Sequence, residues 1–270
     1  MKIKMGTANL SYQNGKVNGE ILLSGRNQVT VYSTRGNVYL VTVTGAEIII
    51  DSASEFVSVI GAINGSKDYI ALSQDIIFDG TETFMMSAGT FSGVLDGRGY
   101  TVNGLDLTKH GKTNAWYAMI KGGNFTMKNI AFVNMNMATV NGTRVHLCGN
   151  VSWGVTLENC YLELDGGSVG LAWSHTDTFT IKNTIIVRDV TSDAKALFNA
   201  KNNDTSKIVA ENFYLVAKDT AALYANYAEN DGYFTGSVTR NSDKAQILAA
   251  INASETASVQ LKTFANKYLK

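Results

Sequence analysis

Proline is absent from all 270 residues. Its absence removes the commonest rigid break from loops. It suits a fold in which almost every backbone N–H bonds to a neighbouring strand, since each proline would delete one ladder bond. Cysteine is nearly absent too. Cys148 and Cys160 stand twelve residues apart with no Cys-x-x-Cys spacing, so they read as two reduced thiols in apolar strands rather than a disulfide or metal pair. Charge of one sign is missing: Lys and Arg number 23, Asp and Glu number 23, and charged residues make up only 17%. Nothing therefore points to capture of nucleic acid or of an anionic membrane. No apolar run is long enough to cross a bilayer, and Met1-Lys2-Ile3-Lys4-Met5-Gly6 leads into no apolar stretch of signal-peptide length. The expectation is a chain with no signal peptide and no membrane insertion.

Chemical signatures are equally sparse. Gly97-Arg98-Gly99 lacks the third glycine of a dinucleotide loop, and no Walker, zinc-protease or nucleophile-elbow pattern occurs. His110, His146 and His175 fall in different segments without ligand spacing, so each reads as a packed or surface histidine. Neither a metal nor a cofactor is expected.

What the chain does have is repetition. Tyr100-Thr101-Val102-Asn103-Gly104, Phe125-Thr126-Met127-Lys128-Asn129, Val155-Thr156-Leu157-Glu158-Asn159 and Phe179-Thr180-Ile181-Lys182-Asn183 share a hydrophobic-Thr-hydrophobic start and an Asn or Gly turn. Ile208-Val209-Ala210-Glu211-Asn212 is a fifth copy with Val for Thr, and the copies start 25, 30, 24 and 29 residues apart. Periods of this size mark stacked repeats. A second short strand precedes most copies, as in Tyr117-Ala118-Met119-Ile120, Val145-His146-Leu147-Cys148 and Val169-Gly170-Leu171-Ala172. Two or three strands per coil over about six or seven coils describe an all-β, parallel β-helix. Asn and Gly suit its corners because both tolerate positive φ.

Three blocks follow. Residues 1–53 alternate β-branched runs such as Val38-Tyr39-Leu40-Val41-Thr42-Val43 with turns such as Asn14-Gly15, the pattern of a small antiparallel module for attachment or capping. Residues 54–240 form the β-helix, beginning with a short helix that Ser54-Glu55 could cap and that carries Phe56, Val57, Val59, Ile60 and Ile63. Residues 241–270 read as helical through Ile247, Leu248, Ile251, Leu261, Phe264 and Tyr268, and are expected to cap the far end.

The run Phe91-Ser92-Gly93-Val94-Leu95-Asp96-Gly97-Arg98-Gly99-Tyr100-Thr101-Val102 resembles the opening coil of right-handed β-helix proteins of the pectate-lyase-like superfamily. There a phrase of the form F-x-G-x-x-D-G-x-G-x-T-I commonly follows an apolar helix and a Y-I-x-L-x-x-D-I strand. Both precursors occur here, at residues 56–63 and 69–76. The resemblance covers residues 54–240 and implies a fold, since such helices serve lyases, glycosidases, adhesins and phage tailspikes alike. The small N-terminal β-module without a secretion signal is most similar to bacteriophage tail fibres and tailspikes. That likeness implies a virion location on the outer surface of the particle, with residues 1–53 docking to other tail, baseplate or capsid proteins.

Aligning the repeats yields two columns. Asn129, Asn159, Asn183 and Asn212, with Gly104 in the first coil, fall at one corner, where stacked amides can bond to each other and to the backbone. This column reads as structural. In the following strand Ile130, Phe132, Cys160, Leu162, Thr184, Ile186, Phe213 and Leu215 should point inward. The alternate positions, Ala131, Val133, Tyr161, Glu163, Ile185, Val187, Tyr214 and Val216, are largely apolar although they should face out. An extended apolar strip marks an interface, so the expectation is a homotrimer packed along it; a slipped register or a covering loop is the alternative.

Two further sets carry candidate chemistry. Asp165 and Asp189 fall in equivalent places of adjacent coils, about 4.8 Å apart by strand spacing, with Glu163 close by. Such carboxylates could act as a paired acid and nucleophile on a sugar bond or hold calcium, although polar corners collect Asp in any case. Trp116, Trp153, Trp173, His175, Tyr224 and Tyr227 lie near corners where rings could stack on sugars. The expected function is a structural virion appendage that attaches to a host-surface polysaccharide. A polysaccharide lyase or glycosidase on the same scaffold is the alternative, and a bacterial surface adhesin the second.

Overall fold

A computed structural model of the chain describes the backbone of residues 2–5, 8–9, 11–13, 16–18, 26–32 and 38–44. Beyond these it describes residues 48–270 except 66–67, 85–86, 88, 111–112, 114–115, 152–153, 165–169, 176, 189–196, 202–206 and 218–233. Only the backbone is described for residues 116, 150–151, 173–175 and 199–201.

The N-terminal strands are β1 (Lys2–Met5), β2 (Ala8–Asn9), β3 (Ser11–Gln13), β4 (Lys16–Asn18), β5 (Arg26–Tyr32) and β6 (Val38–Thr44). They pair antiparallel, in the order β2-β1-β5-β6 with β3-β4 as a separate hairpin. Pairing turns parallel at β7 (Ile48–Ile50), which bonds to β8 (Tyr69–Leu72). The run Ile48-Ile49-Ile50, grouped by sequence with residues 1–53, is thus already part of the coiled stack. Three β-branched residues read alike in either kind of sheet, so their composition could not assign them. Between these strands lies α1 (Ala53–Ala62), capped by the Ser52 side chain, which accepts from the Glu55 N–H. Glu55 in turn accepts from the Asp51 N–H at 3.0 Å, closing a reciprocal cap. Phe56 and Ile60 are fully buried at the end of the core, with the Phe56 ring edge-on to Phe78 and Phe132.

The remaining strands wind in a parallel β-helix. In chain order they are β9 (Ile76–Ile77), β10 (Val94–Asp96), β11 (Thr101–Asn103), β12 (Trp116–Ile120), β13 (Phe125–Lys128), β14 (Ala131–Val133) and β15 (Arg144–Val151). β16 (Val155–Glu158), β17 (Tyr161–Glu163), β18 (Ala172–His175), β19 (Thr178–Val187), β20 (Phe198–Lys201), β21 (Lys207–Val216) and β22 (Phe234–Asn241) follow. A first face stacks β7-β8-β10-β13-β16 and then the leading halves of β19, β21 and β22. A second stacks β9-β11-β14-β17 and the trailing halves of β19, β21 and β22. A third stacks β12-β15-β18-β20. Complete turns number about four rather than six or seven. Among the described residues, passes before β12 and after β20 add strands to the first two faces only, and in the sequence those strands look like full coils.

Alternation places the core as the sequence expects. Phe125 and Met127, Val155 and Leu157, Phe179 and Ile181, and Ile208 and Ala210 point in from the first face. Ile130, Phe132, Cys160, Leu162, Ile186, Phe213 and Leu215 point in from the second. Thr184 shares that column; its hydroxyl donates to the Lys182 carbonyl at 2.8 Å, so the buried polar group is satisfied. Each large apolar side chain buried in this way is worth about 1.5–3 kcal/mol, and these columns are the main source of stability.

One repeat shifts face. Val94-Leu95-Asp96 pairs with Thr126-Met127-Lys128, and Thr101-Val102-Asn103 pairs with Ala131-Phe132-Val133. The Tyr100-to-Gly104 copy therefore lies on the second face, and Gly104 is not in the asparagine column. The first corner spends four residues, Gly97 to Tyr100, where the next spends two, Asn129 and Ile130. Gly97 is required there, because a Cβ would sit 2.5 Å from the Ile130 side chain.

Two helices, α2 (Lys244–Ala253) and α3 (Val259–Tyr268), follow β22. They do not plug the end of the coil as the sequence reading expects. Ile247, Ile251, Leu261, Phe264, Ala265 and Leu269 instead cluster on the outer side of the second face, against Ala131, Val133, Tyr161, Ile185, Val187, Tyr214 and Val216. Among the described residues, no strand pairs with the outer edge of β22. There Arg240 takes the register position of inward Leu215, and Gly236, at φ 104, sits beside a register shift. A charge and a bulge on the last strand discourage further strand addition.

Both cysteines lie in this core, and burial pushes the Cys160 thiol up to about 12 and raises Cys148 as well. Neither should react with Ellman's reagent in the native protein at about pH 8, and both should react on unfolding, because the thiolate is the nucleophile. Rapid labelling of either native thiol would contradict this packing.

Candidate functional surface

The corner between the first and second faces carries the most ordered polar array. Asn129, Asn159, Asn183 and Asn212 all adopt left-handed backbone, with φ of 51, 55, 45 and 51°. Asparagine tolerates this region better than other non-glycine residues, and its amide can bond along the stack. The Asn159 amide donates to Asn129 Oδ1 at 2.9 Å, and the Asn212 amide donates to Asn183 Oδ1 at 2.9 Å. Below them the Asn129 amide donates to Asp96 Oδ1 at 3.1 Å. From the other side Ser258, the cap of α3, donates its hydroxyl to Asn159 Oδ1 at 2.7 Å and its N–H to Asn183 Oδ1 at 3.3 Å. Thr256 donates to Asn212 Oδ1 at 2.9 Å and accepts from its amide at 3.0 Å. These amides are engaged in structure.

One residue earlier, on the outer side of the first face, Asp96, Lys128, Glu158, Lys182 and Glu211 stand in register on successive rungs. Their signs alternate strictly. Lys128 lies 3.6 Å from Asp96, and Lys182 lies 3.4 Å from Glu211. Like charges one rung apart would repel, so alternation favours this register over a one-rung slip. The pattern is visible in the repeats, where the residue before each asparagine runs Lys, Glu, Lys, Glu, yet pattern reading aimed at apolar period missed it. Beside it Thr126, Thr156, Thr180 and Val209 form a second outer column.

Asp96 is the hub at the start of both ladders. Its carboxylate accepts from the Tyr69 hydroxyl at 2.5 Å and from the Arg98 N–H at 2.9 Å, as well as from Asn129. The Lys128 ammonium also lies 5.3 Å from the Tyr69 ring centroid. Partial burial raises the Tyr69 phenol above its usual range, and the Asp96 hydrogen bond adds to the rise. For Lys128 burial is the largest single effect and opposes the charge, but Asp96 and the Tyr69 hydroxyl together hold the ammonium above its usual value. A protonated phenol and a paired ammonium suit a structural knot.

The carboxylates singled out by sequence divide in two. Asp165 and Asp189 lie outside the described residues. Glu163 is described, and both of its oxygens are used: the Tyr161 hydroxyl donates to one at 2.9 Å and the Asn134 N–H to the other at 2.7 Å. Burial, reinforced by Glu163, keeps the Tyr161 phenol raised. Two other corner carboxylates close local turns. Asp79 accepts from the Thr81 N–H and Asp106 from the Thr108 N–H, at 2.8 and 2.9 Å. Among the described residues, no cluster of three His, Cys, Asp or Glu could hold a metal ion.

Of the aromatic candidates, Trp116 opens β12 and Trp173 and His175 lie in β18, two rungs apart on the third face, with side chains outside the description. Trp153, Tyr224 and Tyr227 also lie outside the described residues. The interface candidates Val133, Tyr161, Ile185, Val187, Tyr214 and Val216 do form one strip, together with Ala131. That strip is buried under α2 and α3 of the same chain, so it is not the exposed trimer surface the sequence suggests. A helix pair with its own apolar stripe satisfies the strip within one chain.

No protein-family model matches the chain, and neither a curated protein nor a solved structure matches it. The molecule is defined by its architecture, a parallel β-helix with a helical hairpin along one flank.

Two substitutions test the ladders. Asn159→Ala should lower unfolding free energy by roughly 2 kcal/mol, combining left-handed strain with a lost amide bond, and Asn159→Gly by about 1 kcal/mol. Equal losses in a denaturant titration would contradict the corner assignment. Glu158→Lys should cost about 0.5–1 kcal/mol at low ionic strength, most of it recovered in about 1 M salt. A salt-independent loss would show that the charge column does not set register.

Proposed function

We propose that the protein is a structural, adhesive β-helix, a virion appendage of the phage tail-fibre or tailspike kind, that attaches to a host-surface glycan. The observation that carries this reading is the use made of the described polar groups. Asp96, Asp79, Asp106, Glu163 and the asparagine column are all engaged in turns and ladders, the pattern of a scaffold rather than of a reaction centre. A register-locked stack offers the same outer face rung after rung, which suits repeated contact with a polymer. The third face adds to this, since Trp116 and the Trp173–His175 pair belong to one sheet. Residues 1–53 would serve as the docking module, on the strength of the likeness to tail proteins. Homotrimer assembly remains compatible with such a role, but not through the strip beneath α2 and α3.

The second reading, a polysaccharide lyase or glycosidase, rests on Asp165 and Asp189; a bacterial surface adhesin is the third. Purified protein should be retained on immobilised capsule or lipopolysaccharide without releasing reducing ends or unsaturated sugars. Trp116→Ala and Trp173→Ala should each weaken retention by about tenfold, the loss of one stacked ring. Release of sugar ends that Asp165→Asn or Asp189→Asn abolishes would replace this proposal with the enzymatic one.

A further inference from the structure

We infer that the α2–α3 hairpin is a clasp that closes on the finished stack, holds its rungs in register and keeps the apolar strip away from other copies of the chain. The loop between the helices reads three successive rungs of one corner. Ser258 bonds to Asn159 and Asn183, and Thr256 bonds to Asn212. These rungs are 24 and 29 residues apart in sequence, so the loop finds its partners only after the coils between them have stacked. The far end of α3 makes a separate attachment. The Tyr268 hydroxyl lies 2.5 Å from Thr101 Oγ1, and Lys267 lies 3.3 Å from the same oxygen and 3.9 Å from Asp75. The Tyr268 ring packs 4.7 Å from that of Tyr161.

This geometry is selective. A slip of one rung moves a partner by about 4.8 Å, beyond hydrogen-bond reach. A slip of one residue turns the strip inward and presents core residues to the helices. The helices also follow every strand of the strip in chain order, from Lys244 onward, so a growing chain would display the strip until they are made. An uncovered strip of seven apolar residues, Ala131 to Val216, would associate with its like.

Hydrogen exchange on the full-length protein tests the clasp. Amides of α2 and α3 should share one opening step that is more frequent than opening of the first-face strands. In the full-length Ser258→Ala, Thr256→Val variant, exchange should rise about tenfold across both helices together, because the ladder bonds latch the hairpin as a unit. At a urea concentration that opens the helices while the strands stay protected, light scattering should show self-association. Helices that exchange only with global unfolding, a change confined to residues 254–261, or a monomer with open helices would each overturn the inference.

Discussion

Parallel register between successive coils is the constraint on which the rest of the molecule depends. Each strand gives its backbone bonds to the rung before and the rung after, and each inward side chain packs on its counterpart one rung away. Register therefore decides simultaneously which residues enter the core, which amides meet at the corner and which charges face each other. The absence of proline follows from the same constraint, as does asparagine at the corners, where a left-handed residue must turn the chain without losing its place in the ladder. Stability rests mainly on the apolar columns. The surface charges are individually worth at most about 1 kcal/mol, and their contribution is to penalise the slipped alternative.

The second face shows how one register can serve two cores. Ile130, Phe132, Cys160 and Leu162 fill the interior, while the residues between them, Ala131, Val133 and Tyr161, form the floor of a second cluster under the helical hairpin. A strand buried on both sides loses the usual alternation of apolar and polar residues. That loss is what made the strip look like an intermolecular interface. The hairpin is long enough and apolar enough on one side to provide the cover, and its loop ends in the asparagine ladder. Packing and polar satisfaction thus meet at Ser258, which caps α3 and bonds two rungs of the stack.

Much of this architecture was legible in the residue order. The Thr-strand repeats from Phe125 onward, the four corner asparagines and the inward positions of the second face follow from period-two alternation and the steric tolerance of asparagine, both local properties. The first repeat was misplaced because its corner holds two extra residues, and a pattern match carries no information about which face a strand joins. Glu163 illustrates the limit for chemistry. As a carboxylate near a polar corner it reads as a candidate acid, but only its neighbours, the Tyr161 hydroxyl and the Asn134 N–H, reveal that both oxygens are committed.

Alone, the sequence determined that the chain winds as a stacked parallel β-structure, where its corners turn and which residues line its interior. Those properties depend on backbone sterics and on periods shorter than one coil. Tertiary structure decided what covers the outer strip, how many turns are complete and which polar groups are already engaged. Each of these depends on residues brought together from distant coils, as Ser258 is with Asn159, and such distances in sequence leave no periodic trace.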